Sequence, residues 1–343
     1  MLLDKLRLRG LRSSSIQGDV YRKQIEILRI LSEHEKPVGS FLIRKELAKR
    51  GFFLSGRAIR YHLRLLEERG LVEGHRKAGR TITESGLEEL SRALAYERIG
   101  SILTKYLTLA YNVTYNPDRD QGEVVTNVIM IDKRYLDDAV KIIIDLWEAG
   151  FLPSSYVKIL DEEEEYRDVA VPKGKVVILT VCNLTIDGVL MHSGIPLILK
   201  YGGLVQFLKW KPLRFVDLIS YEHSTAHPLE VFVYKRITSI LRILKSGSGM
   251  ITANMREVPA AAREDVLKIL KKLKAKGWGG VIAFGMPNEP ILSVPVSMDR
   301  CGLSMIGGMT PAAAMMEAGI PVETFAPHCL TRIRDMEIVT KMA

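Results

Sequence analysis

Cysteine is scarce in this sequence: Cys182, Cys301 and Cys329 are the three in 343 residues, and no two form a CxxC pair. So sparse and odd a set excludes a disulfide scaffold and fits a reducing cytoplasm. Long apolar runs are missing as well. No stretch approaches the length that spans a bilayer, and the N-terminal MLLDKLRLRGLRSSS is interrupted by charges, so it does not read as a secretory leader. The sequence also has no GxGxxG, no GxxxxGK[ST] and no GxSxG. His223 and His227 are four apart, but Pro228 and the intervening Ser-Thr-Ala make that segment a loop without HExxH, which gives no metal site. Cys182 has no His or Asp near it in sequence to activate a nucleophile. The expectation is a chain that is not an enzyme and holds no metal or cofactor.

What is present is a concentrated positive charge. Basic residues outnumber acidic ones 49 to 40, a net of +9. Residues 1–100 contain 21 basic and 13 acidic residues, a net of +8, which leaves only +1 for residues 101–343. Lys36 to Arg80 alone contains 12 basic and 4 acidic residues. A patch of this kind is the electrostatic footprint of a phosphate-binding surface, because each neutralised phosphate releases condensed counterions.

The patch coincides with a structural pattern. Tyr21 to His34 carries Ile25, Leu28 and Leu31 at helical spacing before Lys36-Pro37-Val38-Gly39 breaks the helix, and a second helix runs from Ser40 to about Arg50. From Ser55 to Gly70, SGRAIRYHLRLLEERG places Ile59, Leu63 and Leu66 on one face and Arg57, Arg60 and Arg64 on the other, with Ser55 positioned to cap the start. GLVEGHRKAGRTIT then reads as two short strands joined by a basic turn. Three helices followed by a basic hairpin predict a winged helix. Arg57, Arg60 and Arg64 would face the major groove or its phosphates, Tyr61 the backbone, and Arg76, Lys77 and Arg80 the neighbouring groove, with Ser55 at the helix start.

Beyond this module, Glu84 to about Tyr106 reads as one amphipathic helix, suited to linking or dimerising. From Gly122 onward strands alternate with helices in βαβ fashion, and the acidic run Asp161 to Asp168 reads as a solvated turn. NLTIDGVLMHSGIP (Asn183 to Pro196) aligns without gaps on GMTPAAAMMEAGIP (Gly308 to Pro321), and the same offset of 125 pairs Gly122 with Gly247 and Val176–Leu179 with Cys301–Ser304. The expected architecture is therefore an α+β multidomain protein: an N-terminal winged helix-turn-helix, then a bilobed α/β domain of two similar βαβ-type repeats, about 107–200 and 230–325.

In each repeat a strand enters a helix through a short turn, Thr180 to Thr185 and Met305 to Thr310, where backbone N–H groups can hold an anion. Two such turns facing one cleft would grip both ends of a dicarboxylate, with Cys182, Thr185, Gly307, Gly308 and Thr310 in place to contribute. The alternative is that Gly307-Gly308 merely turns the chain and the threonines are ordinary caps. Lys200, a tight turn at Tyr201-Gly202-Gly203, Arg214 and Arg256 are further candidates for carboxylate contacts; each alone is also compatible with a surface charge.

Taken together, GRAIRYHLRLLEERGLV, GRTITESGLEEL, GVLMHSGIP, KYGGL, HPLEVF, REVPA and GGMTPAAAMMEAGIP resemble the NrpR family of archaeal transcriptional regulators, in matching order along almost the whole chain. The winged helix is also similar to the one that leads ribonuclease R. The NrpR resemblance implies a cytoplasmic homodimer that binds palindromic operator DNA, represses nitrogen-assimilation genes and is released by 2-oxoglutarate. The expected domains are a basic arm over 1–19, a winged helix over 20–85, a linker or dimerisation helix over 86–106 and, as the resemblance implies, an NrpR-type effector-binding domain over 107–330. A single effector domain leaves room for a second NrpR-type protein as partner. Asn183 and Thr310 depart from the family's usual residues, and both fall in the candidate pocket. Rival readings are a winged-helix RNA-binding accessory protein and an α/β enzyme with a DNA-binding head.

Overall fold

The computed structural model describes residues 20–34, 36–76, 78–97 and 101–342. The chain divides into two compact units, Met1–Arg98 and Ile99–Ala343. The predicted basic arm, residues 1–19, lies outside the described residues.

The N-terminal unit contains α1 (residues 20–32), α2 (Ser40–Lys49), α3 (Gly56–Glu68), the hairpin β1 (Val72–His75) and β2 (Gly79–Ile82), and α4 (Glu84–Glu97). Each of the first three helices turns an apolar stripe inward: Leu28 and Leu31 from α1, Ile43 and Leu47 from α2, Ile59, Leu63 and Leu66 from α3, all fully buried. The opposite faces are mostly polar or charged, with Phe41 of α2 and Tyr61 of α3 exposed among them, so burial of the apolar stripes fixes which way each helix rolls. Val38 exchanges both backbone hydrogen bonds with Arg80 (2.8 and 3.0 Å), which adds a third short strand to the hairpin and makes it a wing.

The second unit opens with α5 (Ser101–Tyr111). The single helix expected from Glu84 to about Tyr106 corresponds to two helices, α4 and α5, the second of which ends at Tyr111; residues 98–100 between them are outside the described set. Next come β3 (Glu123–Asp132), α6 (Leu136–Glu148), β4 (Tyr156–Leu160), a small hairpin β5 (Glu165–Tyr166) and β6 (Val169–Ala170), β7 (Lys175–Val181), α7 (Leu184–His192), β8 (Ile198–Leu208) and β9 (Lys211–Ser220). The chain continues through α8 (Pro228–Tyr234), α9 (Ile240–Ser246), β10 (Gly249–Pro259), α10 (Arg263–Ala275), β11 (Val281–Phe284), β12 (Arg300–Ile306), α11 (Thr310–Glu317), β13 (Glu323–Arg332) and β14 (Glu337–Ile338).

Two five-stranded sheets result, ordered β13-β3-β7-β4-β14 and β11-β12-β10-β8-β9. Every neighbouring pair is antiparallel. The βαβ expectation needs correcting here: β3 and β4, joined by α6, are not neighbours, because β7 lies between them; β12 separates β10 from β11 in the same way. This is the split βαβ arrangement, in which the crossover leaves room for an antiparallel strand. Tyr201-Gly202-Gly203 is likewise not a turn. It lies inside β8, with Gly202 opposite Asn254 and Gly203 opposite Ala253.

Two connections cross between the sheets. Helix α7 takes the chain from β7 in the first sheet to β8 in the second, and α11 takes it from β12 in the second to β13 in the first. The turns that start α7 and α11 are thereby set where the sheets meet, and both helices are buried over most of their length. No helix among the described residues is long and apolar enough to cross a membrane.

Candidate functional site

On α3, Ser55 is the N-cap, and its hydroxyl accepts from the Ala58 N–H at 3.2 Å. Arg57, Arg60, Tyr61 and Arg64 are all exposed. Arg64 lies over the Tyr61 ring, 5.9 Å from its centroid, and pairs loosely with Glu68 at 3.4 Å. Arg80, on β2, turns back to Glu67 of α3, with Nη2 at 2.7 Å and Nε at 3.0 Å from Oε2, so it ties wing to helix. Arg76 is exposed at the wing tip, and Lys77 lies outside the described residues. The exposed side of α3 is thus a cationic face with its guanidinium groups in solvent, the form in which phosphate contacts cost least desolvation.

The second site is a pocket in the effector unit. Its wall includes Asn127 of β3, Cys182, Asn183 and Leu184 at the start of α7, Asn254 and Arg256 of β10, and Gly308 and Met309 before α11. Tyr106, Tyr221 and His227 close another side. The turns leading into α7 and α11 therefore line one pocket. Its free volume is about 10 Å³, room for one water molecule.

Arg256 is fully buried. Its Nε donates to Asp187 Oδ1 at 2.5 Å and its Nη2 to Asn183 Oδ1 at 2.8 Å, while Nη1 has no hydrogen-bond partner among the described residues. Burial raises the Asp187 carboxyl above its ordinary value, and Arg256 works against that rise. Asn127 donates to the Gly308 carbonyl at 3.1 Å, and Asn183 donates to the Ile306 carbonyl. A side chain at 308 would bring its Cβ to 3.0 Å from the Asn127 amide, so glycine keeps this approach open. The Tyr221 hydroxyl donates to Asn254 Oδ1.

His227 caps α8 by accepting the Leu229 N–H on Nδ1 at 3.1 Å. That contact places the imidazole proton on Nε2. Burial pushes the His227 pKa down to about 3, with Lys105 acting in the same direction, so the ring is neutral at physiological pH. Burial also pushes the Cys182 thiol up to about 12 and raises the Tyr106 and Tyr221 phenols, so none of the three ionises near neutrality.

The remaining candidates are distributed as follows. Thr185 is buried outside the pocket wall, accepting the Val125 N–H at 3.0 Å, and Thr310 is buried against Thr252 with their hydroxyls 3.0 Å apart. Gly307 precedes the wall residue Gly308, and its N–H donates to the Thr252 carbonyl. Lys200 is half-buried on β8, and Gly202 and Gly203 are buried in that strand. Arg214 is exposed on β9, with Nε 3.3 Å from Gln206 Oε1. Asn127, Asn254, Tyr106, Tyr221 and His227 escaped sequence reasoning. One signal was available: VVTNVIMI and MITANMREV each place a Thr and an amide inside a largely apolar buried strand. Among the described residues no group of His, Cys, Asp and Glu is arranged to hold a metal.

Residues 99–338 match the family model described as NrpR regulatory domains NRD1 and 2, and residues 25–90 match the ribonuclease R winged-helix domain. The chain belongs to the NrpR family. It is 40% identical to the global nitrogen regulator NrpRI of Methanosarcina mazei over 89% of this chain and 94% of that protein. It is 34% identical to global nitrogen regulator NrpR of Methanocaldococcus jannaschii, over 96% of this chain but 58% of that longer protein. The crystal structure of a nitrogen repressor-like protein from Methanococcus jannaschii superposes with a TM-score of 0.60 at 32% identity, over 69% of this chain and 98% of that one. The NrpR regulatory-domain match spans the unit that contains the pocket, and the winged-helix match spans α3 and the wing. These are the parts of a regulator and not of an enzyme.

Proposed function

We propose that this protein is a ligand-responsive transcriptional repressor of nitrogen-assimilation genes that acts in the cytoplasm. It binds palindromic operator DNA as a dimer through α3 and the wing, and a small dicarboxylate, 2-oxoglutarate or a close analogue, releases it. A symmetric dimer suits this role because two recognition helices about one DNA turn apart match a palindrome. We further read the two sheets as copies of one unit: Asn127 pairs with Thr180 and Asn254 with Met305, partners that are 125 residues apart.

The observation that carries the effector reading is Arg256, the only charged side chain in the pocket wall among the described residues, with one terminal nitrogen unpartnered. A buried guanidinium with a free N–H edge is a carboxylate receptor. Calorimetric titration with 2-oxoglutarate, succinate and glutamate, each with and without a duplex selected from a random pool, tests the reading. Heat with 2-oxoglutarate and about a five- to hundredfold loss of DNA affinity are expected. No heat and no change in DNA affinity would remove the effector while leaving the DNA-binding role intact.

The similarity of the N-terminal module to the ribonuclease R winged helix supports RNA binding as a second reading. Competition between duplex DNA and structured RNA separates the two: preference for RNA would overturn the operator role.

A further inference from the structure

The pocket has room for one water molecule, and a five-carbon diacid displaces many times that volume. Granted that such a ligand binds here, part of the wall must move, and the walls differ in how firmly they are held.

The sheet side is locked. Arg256 is fixed by Asp187 and Asn183, Asn183 by the Ile306 carbonyl, Asn127 by the Gly308 carbonyl, and Tyr221 by Asn254. Separating the two sheets would break several of these bonds and pull on the α7–β8 and α11–β13 connections that tie them together. Tyr106 is different. It is 5% exposed and packs in the apolar core with no side-chain hydrogen bond among the described residues; its ring centroid is 5.6 Å from that of Tyr221 and 5.5 Å from that of His227.

Helix α5, which carries Tyr106, rests on the core through one apolar face, with Ile102, Leu103 and Leu109 partly buried beside Tyr106. Tyr106 and Ala110 are its only fully buried side chains among those described, while Lys105, Leu107 and Thr108 are exposed. Ala110 sits where α7 offers Gly188, at which a Cβ would lie 2.4 Å from the Ala110 carbonyl oxygen, and His192 contacts the Tyr111 carbonyl at 2.8 Å. The C-terminal end of α5 is therefore pinned to α7 through backbone contacts, while Ile102, Leu103 and Tyr106 seat its N-terminal part by apolar packing. In the chain, α5 follows α4 after residues 98–100, and α4 begins two residues after the wing strand β2.

We propose that Tyr106 is the gate and the reporter of the effector pocket: a ligand on Arg256 displaces its ring, and α5 shifts about its Ala110 end, carrying occupancy toward α4 and the wing. Tyr106 is thus a positioning residue, acting on DNA affinity through α5. The inference rests on the effector reading above.

The test compares wild type with Tyr106→Ala and Tyr106→Phe, using 2-oxoglutarate and the selected duplex. Truncation to alanine removes the group that the ligand must displace, so it should tighten 2-oxoglutarate binding severalfold while reducing the ligand's effect on DNA affinity to less than about twofold. A purely structural role would weaken both together. The phenylalanine variant retains the ring and should respond as wild type does. In wild type, hydrogen exchange of amides 101–111 should change on ligand addition, a readout that needs no variant.

The proposal is overturned by any of three results: Tyr106→Ala releases DNA as fully as wild type, Tyr106→Ala loses ligand binding and response together, or exchange over 101–111 is unchanged while ligand binds and DNA is released. Those results leave the effector assignment standing. Absence of ligand binding by wild type removes the assignment itself, and this inference with it.

Discussion

Arg57 and Arg256 carry the same guanidinium in opposite surroundings. Arg57 stands in solvent on α3, where its charge is hydrated and its N–H groups make no ion pair among the described residues. Arg256 has lost its hydration entirely and is held by one carboxylate and one amide, with a third edge unpartnered. An exposed arginine leaves folding indifferent to its presence and is free to meet phosphate. A buried one makes folding depend on its partners, because neither member of the pair can be removed alone without leaving a desolvated charge. The strand register sharpens the contrast. Arg256 lies opposite Leu303, and at the matching place in the other sheet Ile129 lies opposite Ile178, so a hydrocarbon fills the corresponding site there.

The largest effect expected from breaking this contrast comes from Arg256→Leu. It leaves Asp187 ionisable and alone in the core, which should cost about 3–5 kcal/mol in denaturant unfolding and abolish ligand binding. Adding Asp187→Ala, which removes both charges, should restore most of the stability while ligand binding stays lost. Recovery of both would show that Arg256 is only a structural charge.

The second effect is on pH dependence. The folded pKa of His227 lies near 3, below its ordinary value of 6.5, so the unfolded chain binds the extra proton between those limits. Stability from this group is fully present above about pH 6.5 and falls as pH drops toward 3, at up to about 1.4 kcal/mol per unit. His227→Asn retains an acceptor for the Leu229 N–H and does not titrate. Melting curves from pH 4 to 7 should be flatter for this variant than for wild type, and identical slopes would contradict the assignment.

Smaller effects belong to the exposed face. Arg57→Ala should weaken duplex binding by about 1–3 kcal/mol if it reads a base, leaving the melting temperature unchanged. A mobility-shift titration with unaltered affinity would count against α3 as the reading helix. Ser55→Ala, which removes the cap on Ala58, should destabilise the N-terminal unit by about 1 kcal/mol. Urea unfolding followed through that unit checks it.

Much of the exposed site was legible in sequence because its signals are local. The stripe Ile59, Leu63, Leu66, the cap Ser55 and the basic turn all fall within some thirty consecutive residues, and helical period alone sorts inward from outward positions. The pocket was legible at its turns, where the similarity of 183–196 to 308–321 points to Cys182 and Gly308, and at Arg256, a cation in an apolar stretch. Tyr106, Tyr221 and His227 come from a helix, a strand end and a loop, and no local pattern links them. Tyr201-Gly202-Gly203 misled because adjacent glycines usually mark a turn, whereas here they are part of a strand. The order of strands, with β7 inserted between β3 and β4, depends on pairings far apart in the chain and leaves no trace in periodicity.

The crossing of β8 and β13 has a consequence for how the effector unit comes apart. Each sheet is completed by a strand delivered from the helix that follows the other sheet, so neither can be assembled, or lost, without the chain segments that build its neighbour. The unit is knitted into a single cooperative block around the pocket between its sheets.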